Sequence, residues 1–417
     1  MPVPDASSAL DWTPAWTRGQ GEHQARELFA ATFGAPPHGV WSAPGRVMII
    51  GEHADYNAGI TLATATPHRL YLAASPRADA RIRVVEGQAG ALPGPDGVWE
   101  SDLRDLEPGT VDGWPRYVAA ALWALLERGY DGPGLDIAAT SCLPVGGGLA
   151  GWAALEAATA QAADALWGLA LADTSAGRLE LAEVCYDGEL RFVGSPFGGT
   201  DQHTALRCRD GEALSLDFSQ PRGPGALIPP PAQRFPLPFR EYGLGLLIIN
   251  TADSYPMADP LFLMRQAECA AAAAALGVTW VGQIAEQPDA VARVAALDDP
   301  ILRRRARHLV TEIARVRALE RELTGMGPAH ERFTEIGRLL YRSHASLELD
   351  FEVSSPALNR TVDAAYRSGA LGARMFGAGR GGSAVALVRR TEAERTAQRI
   401  QADLLAAGDP RPGFVLV

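Results

Sequence analysis

Cysteine is scarce and scattered in this chain. Cys142, Cys185, Cys208 and Cys269 are the only four in 417 residues, and no two form a CxxC pair. That excludes a structural zinc site and predicts reduced, buried thiols in a cytoplasmic protein. An excess of basic charge is missing too, with 38 Lys and Arg against 49 Asp and Glu and a net charge of −11. A nucleic-acid surface requires a basic face, so nucleic acid is not an expected partner. No uncharged apolar run reaches the length of a membrane span. The first residues, MPVPDASSALDW, have neither the basic nor the apolar region of a secretory signal. Tandem repeats are absent.

What is present is a large apolar fraction, 47%, with 44 Gly and 30 Pro spread along the chain. This composition suits a loop-rich α/β or α+β enzyme, and the length suits two domains. Periodicity and breakers predict helices over 21–33, 117–128, 153–169, 179–186, 259–276, 300–323, 331–347 and 392–406. Strands are expected at 47–50, within 60–85, and at 135–140, 243–250, 384–388 and 414–417. A hairpin is expected over 206–218, turning at Asp210-Gly211. Residues 87–110 read as loop, and the Pro-rich stretch 221–238 reads as the connection between domains 1–220 and 240–417.

Three stretches carry chemistry. The first is LPVGGGLAGWAALE, from Leu143 to Glu156. Gly146, Gly147 and Gly148 allow positive φ and a close backbone approach. A helix starting just beyond offers unpaired N–H groups and a positive dipole end, a phosphate site. Trp152 is the oddity, a large indole where such loops carry small or hydroxylated residues. The second is GEHADYN, from Gly51 to Asn57, which delivers Glu52, His53 and Asp55 into a loop at a strand end. The third is Asp201 after Gly198-Gly199, which reads equally as a catalytic carboxylate or as a helix N-cap. A second glycine loop runs from Ala373 to Ser383.

With these residues in view, the chain resembles the GHMP kinases, and galactokinases in particular. The galactokinase signature GRVNLIGEHTDYN is matched by GRVMIIGEHADYN at 45–57, and LPxGGGLSSSAALE by the first glycine loop. GxPxGxMDQ is matched at 194–202 with Thr200 for methionine, and RMTGGGFGG by RMFGAGRGG at 374–382. A fifth motif, SHxSLxxDYEVSxPELD, is matched at 343–359. The resemblance implies a two-lobe α+β fold, with an N-terminal lobe like ribosomal S5 domain 2 and a ferredoxin-like C-terminal lobe. It implies ATP and Mg²⁺ as cofactors, and a sugar as the small-molecule partner. By the same resemblance Glu52, His53, Asp55, Gly199 and Phe262 fall on the sugar side. Asp201 stands beside the anomeric hydroxyl and Arg46 supports it. The glycines of both loops, including Gly379, hold phosphates, and Glu189 is a Mg²⁺ ligand.

The departures gather on the nucleotide side. Ala150-Gly151-Trp152 replaces three serines, the last of which helps hold Mg²⁺ in the family; indole has no oxygen to offer. Arg380 replaces a phenylalanine, Phe376 a threonine, and Arg191 a frequent glutamate, so two guanidiniums, Arg191 and Arg380, are expected close to the phosphate loops. Phe262 replaces a tyrosine on the sugar side. Two functions are therefore expected as alternatives. One is an ATP-dependent sugar 1-kinase acting on galactose or a modified hexose. The other is a repurposed homologue in which Trp152, Arg191 and Arg380 signal altered Mg·ATP use, and which binds a sugar, sugar phosphate or nucleotide sugar for metal-free acid–base chemistry or regulation.

Overall fold

The computed structural model describes residues 9–87, 97–195, 197–220, 229–253 and 261–417. The chain opens with β1 (Asp11–Trp12), α1 (Arg18–Phe33), β2 (Gly39–Ile50), β3 (Ile60–Pro76), β4 (Arg81–Glu86) and β5 (Trp99–Asp102). It continues through α2 (Pro115–Glu127), β6 (Leu135–Ser141), α3 (Gly151–Trp167), α4 (Ser175–Asp187), α5 (Thr200–Arg207), β7 (Glu212–Asp217) and β8 (Ala232–Pro236). The second half holds β9 (Leu244–Asn250), α6 (Leu261–Ala275), α7 (Ala290–Ala295), α8 (Pro300–Thr324), α9 (Ala329–Leu349) and α10 (Pro356–Arg367). It closes with β10 (Gly372–Phe376), β11 (Ser383–Arg389), α11 (Ala393–Ala406) and β12 (Gly413–Leu416).

Two sheets result. The N-terminal one runs β5-β4-β6-β3-β7-β8, with β2 on the other edge of β3. Strand β3 is its spine: residues 60–64 pair with β7 and residues 70–76 with β6. The partner changes across Pro67, which has no N–H to give to a ladder. The C-terminal sheet runs β1-β12-β9-β11-β10. Its outer strand β1 comes from the chain's first described residues, so the N-terminal segment is sewn into the C-terminal lobe. Helix α3 lies on β2 and β3 through an alanine-rich face that is almost wholly buried. Helix α8 packs on α6, α7 and α9 and bears a polar buried row, Arg305, His308 and Glu312, of which His308 and Glu312 bond the backbone of Glu52 and Gly51.

Four expectations are corrected. The hairpin at 206–218 does not form. Helix α5 continues through Arg207, with Cys208 N–H bonded to the Thr204 carbonyl, and Gly211 at φ +72 turns the chain into β7. Residues 47–50 are only the end of a twelve-residue strand, bulged between Pro44 and Arg46. The loop expected at 87–110 contains β5, although residues 88–96 lie outside the described residues. Strand β8 occupies part of the stretch read as connection, on an edge where its one proline, Pro236, is tolerated; residues 221–228 are outside the described residues.

Candidate active site

The site is assembled where the bulge of β2 meets the first glycine loop. Gly45 has no room for a side chain: an added Cβ would lie 2.6 Å from the Leu149 carbonyl oxygen. Arg46 N–H donates to that same carbonyl at 3.0 Å. The Arg46 side chain, 8% exposed, then forks onto Asp201, with Nε–Oδ1 at 2.6 Å and Nη2–Oδ2 at 2.9 Å. Its Nη1 donates to the Gly148 carbonyl at 2.7 Å. One guanidinium thereby locks a carboxylate to a phosphate-type loop. No lysine occurs anywhere in the sequence, so all 38 basic residues are arginines and every such task falls to a planar fork.

Asp201 stands in the first turn of α5, behind Gly199 at φ +93, and does not cap its own helix. Of the two readings open in the sequence, the N-cap is thus excluded. Gly199 itself is held tight, since an added Cβ would lie 2.8 Å from the Tyr186 ring. Asp55 faces the same space. It accepts from Tyr56 N–H at 3.0 Å, from Gly198 N–H at 3.2 Å and from the Thr200 hydroxyl at 3.2 Å. Burial and the neighbouring Asp201 charge push the Asp55 carboxyl from 3.8 to about 6.

His53 sits at φ +62 among rings, 4.6 Å from Phe351 and 6.0 Å from Phe262. Its Nδ1 bonds the Tyr56 hydroxyl at 2.8 Å, and its buried Nε2 has no hydrogen-bond partner among the described residues. Burial holds this imidazole well below its ordinary value, hence neutral. Phe262 lies against Tyr56 and Phe197, so this side of the site is walled by aromatic rings. Glu52 differs from expectation. Its Oε2 takes Arg374 Nη2 at 2.9 Å and its Oε1 takes Gly377 N–H at 2.5 Å. The carboxylate is turned to the second glycine loop, so its first partners are protein groups.

The first glycine loop fits an anion. No side chain caps α3, whose Ncap Ala150 is left-handed, so the opening N–H groups are free to meet a phosphate. The second loop is the turn of a β10–β11 hairpin. Gly379, at φ +109, has no room for a Cβ beside Val353. Arg380 is exposed and left-handed, its N–H bonded to the Val353 carbonyl at 2.5 Å.

Trp152 does not lie free. Its indole stacks on Tyr117 of α2 with centroids 4.9 Å apart and planes 4° from parallel. The ring is 40% exposed. Arg191 is not beside the phosphate loops. Its guanidinium covers Trp123 at 4.8 Å and bonds Glu127 at 3.1 Å. Glu127 is ten residues beyond Tyr117 on α2, roughly 15 Å along the helix. The expected pair of phosphate-side guanidiniums is therefore corrected: Arg191 is occupied at the far end of α2, over the buried Trp123 ring and against Glu127.

Glu189 lies in a π-helical turn, Gly188–Val193, that follows α4. Its Oε2 accepts from the Gln202 amide, which also donates to Glu156 Oε2 at 3.0 Å. Burial, then the Asp201 charge, raise Glu189 to about 7. Among the described residues no group of three or more His, Cys, Asp or Glu is placed to hold a metal. Mg²⁺ typically takes one or two protein carboxylates and completes its shell with phosphate and water. Glu189, a carboxyl that a cation would relieve, fits that limited role; Trp152 does not add a ligand. Tyr117, Gln202 and Arg374 were not singled out in the sequence, although the last two lie inside the motifs.

A two-sheet α/β fold, two glycine loops and an Arg46–Asp201 fork tied to the first of them match the GHMP kinases. The N-terminal domain of that family matches residues 116–209 and its C-terminal domain residues 317–405, and the galactokinase galactose-binding signature matches 27–76. The galactokinase of Streptomyces coelicolor is 36% identical over 93% of this chain and 94% of its own length. That of Homo sapiens is 33% identical over 91% of each. The structure of Lactococcus lactis galactokinase complexed with galactose superposes with a TM-score of 0.81, at 27% identity, covering 94% of this chain and 96% of that one. The chain belongs to the galactokinase family.

Proposed function

We propose that the protein is an ATP-dependent sugar 1-kinase acting on galactose or a closely related hexose in the cytoplasm, with Mg²⁺. One observation carries this reading: Arg46 grips Asp201 with two bonds and the Gly148 carbonyl with a third. A protein that only bound sugar would need neither the buried fork nor its tie to a phosphate loop. The Trp152–Tyr117 stack supports it as well, because the indole is held on α2 rather than left to fill the loop.

Each residue has a task under this reading. Asp55, neutral His53 with its open Nε2, and the ring of Phe262 hold and orient the sugar. Asp201 accepts the hydrogen bond, and then the proton, of the hydroxyl to be phosphorylated. Arg46 fixes that carboxylate and offsets its charge beside Asp55. Gly146 to Gly148 and the start of α3 hold the nucleotide phosphates, and Glu189 the cation. Mg·ATP supplies the phosphoryl group and the charge neutralisation on which such transfers depend. The test is incubation with galactose and Mg·ATP, followed by phosphorus NMR. A sugar 1-phosphate signal is expected; unchanged ATP with galactose, and with a hexose panel, would end the proposal.

A further inference from the structure

The sugar loop and the first glycine loop touch through more than Arg46. Arg374, on β10, is fully buried. It donates to Glu52 at 2.9 Å, to the Ser343 hydroxyl at 3.1 Å and to the Met48 and Ile49 carbonyls at 3.4 and 3.3 Å. Glu52 in turn accepts from Gly377 N–H, the first residue of the second glycine loop. At the other end of that loop Ser383, also fully buried, donates its hydroxyl to the Gly147 carbonyl at 2.8 Å. Phe376 reaches the same glycine run, since a Cβ on Gly148 would lie 3.2 Å from its ring. The path is continuous: sugar loop, Glu52, the β10–β11 hairpin, Ser383, phosphate loop. Behind it Glu312 takes Gly51 N–H at 3.0 Å and the Ser343 hydroxyl at 2.7 Å, which fixes the root of the sugar loop to the same lobe.

Such a path has a physical consequence. Glu52 Oε1 and the Ser383 hydroxyl are bonded to backbone groups of the two glycine loops, and Glu52 Oε2 to the buried Arg374 guanidinium. A buried hydrogen-bonded link is costly to leave half-made. The hairpin therefore has one position in which both ends are satisfied. Whichever loop is ordered first by its ligand fixes that position for the other. We propose that Glu52, Arg374 and Ser383 are positioning residues that couple the two halves of the site, so that sugar and nucleotide each tighten the binding of the other through the second glycine loop. The proposal rests on the sugar-kinase reading above and adds the mutual dependence of its two ligands. By linkage the effect must be equal in both directions.

The test is titration calorimetry on the full chain, with galactose and a non-hydrolysable ATP analogue. For the unaltered protein, saturating analogue should tighten galactose binding by about 5-fold or more, with the same factor for the analogue when galactose saturates. Ser383→Ala, nearly isosteric and bonded to the Gly147 carbonyl only through the hydroxyl it loses, should bring that factor close to one while leaving the affinity for galactose alone within about 2-fold. Arg374→Lys keeps a charge beside Glu52 but loses the fork, and should lower the factor without abolishing either binding event. A purely structural role would shift the melting temperature and leave the factor intact. A factor near one in the unaltered protein overturns the proposal, as does an undiminished factor in the two variants. Failure of the unaltered protein to bind galactose is a separate result: it removes the galactose reading itself, and this inference with it.

Discussion

Replacing Arg46 by methionine removes the charge that faces Asp201 and keeps most of the volume. Two unit charges about 4 Å apart at an effective dielectric near 20 attract by roughly 4 kcal/mol. The Asp201 side chain is 31% exposed, so water screens part of this. Breaking buried pairs costs about 3–5 kcal/mol, and the screening lowers this one to about 2–3. In a chain with lobes of this size that is a fall of about 5–8 °C in melting temperature. The activity loss should be larger than the stability loss suggests, because Arg46 also ties Asp201 to the Gly148 carbonyl. A fall in kcat/KM of about a hundred- to a thousandfold is expected, comparable to losing one donor aimed at developing charge. The assay is a cycle of Arg46→Met, Asp201→Asn and the double variant, read by denaturant unfolding and by turnover. The stability coupling should be about 2 kcal/mol. A coupling below about 0.5 kcal/mol, the scale of an exposed surface pair, would refute the reasoning.

Three further outcomes follow from the same geometry. Asp55 is raised from 3.8 to about 6, so its contribution to stability is present below 3.8 and is lost as pH rises through 6. Partial exposure discounts the shift to about 1–2 kcal/mol, and Asp55→Asn should compare better with the unaltered protein at pH 8 than at pH 5 in thermal melts. Glu312 behaves oppositely. Burial alone would raise it, but Arg315, His308 and Arg374 bring it down to about 2, so its stabilisation is present above 4.5 and lost as pH falls through 2. Glu312→Gln should cost about 3 kcal/mol at pH 7, with the gap closing in acid unfolding. Trp152→Ser gives up a stack worth about 0.5–1.5 kcal/mol but returns an oxygen to the loop. It should melt slightly lower and reach half-maximal turnover at less Mg²⁺; an unchanged Mg²⁺ dependence would show that the indole does not limit the metal.

Local features were the legible ones. The glycine loops, the β2 strand end and the Gly51–Asn57 loop are short-range patterns, and Arg46, Asp55 and Asp201 lie close together. What escaped was long-range or directional. The partner of Glu52 is Arg374, 322 residues away, and no periodicity reveals which carboxylate a buried guanidinium will choose. The direction of Trp152 was set by Tyr117 on another helix, and Arg191 was captured by Trp123 and Glu127. Helix α5 ran through an expected hairpin because the Asp210-Gly211 turn serves a helix-to-strand corner as well as it serves two strands.

The most direct test of the account is coupled ADP release with galactose for the unaltered chain beside Asp201→Ala. Sugar-dependent release, falling at least about a hundredfold in the variant while galactose still binds, is the expected result. Release that ignores galactose, or that survives the loss of Asp201, would contradict it.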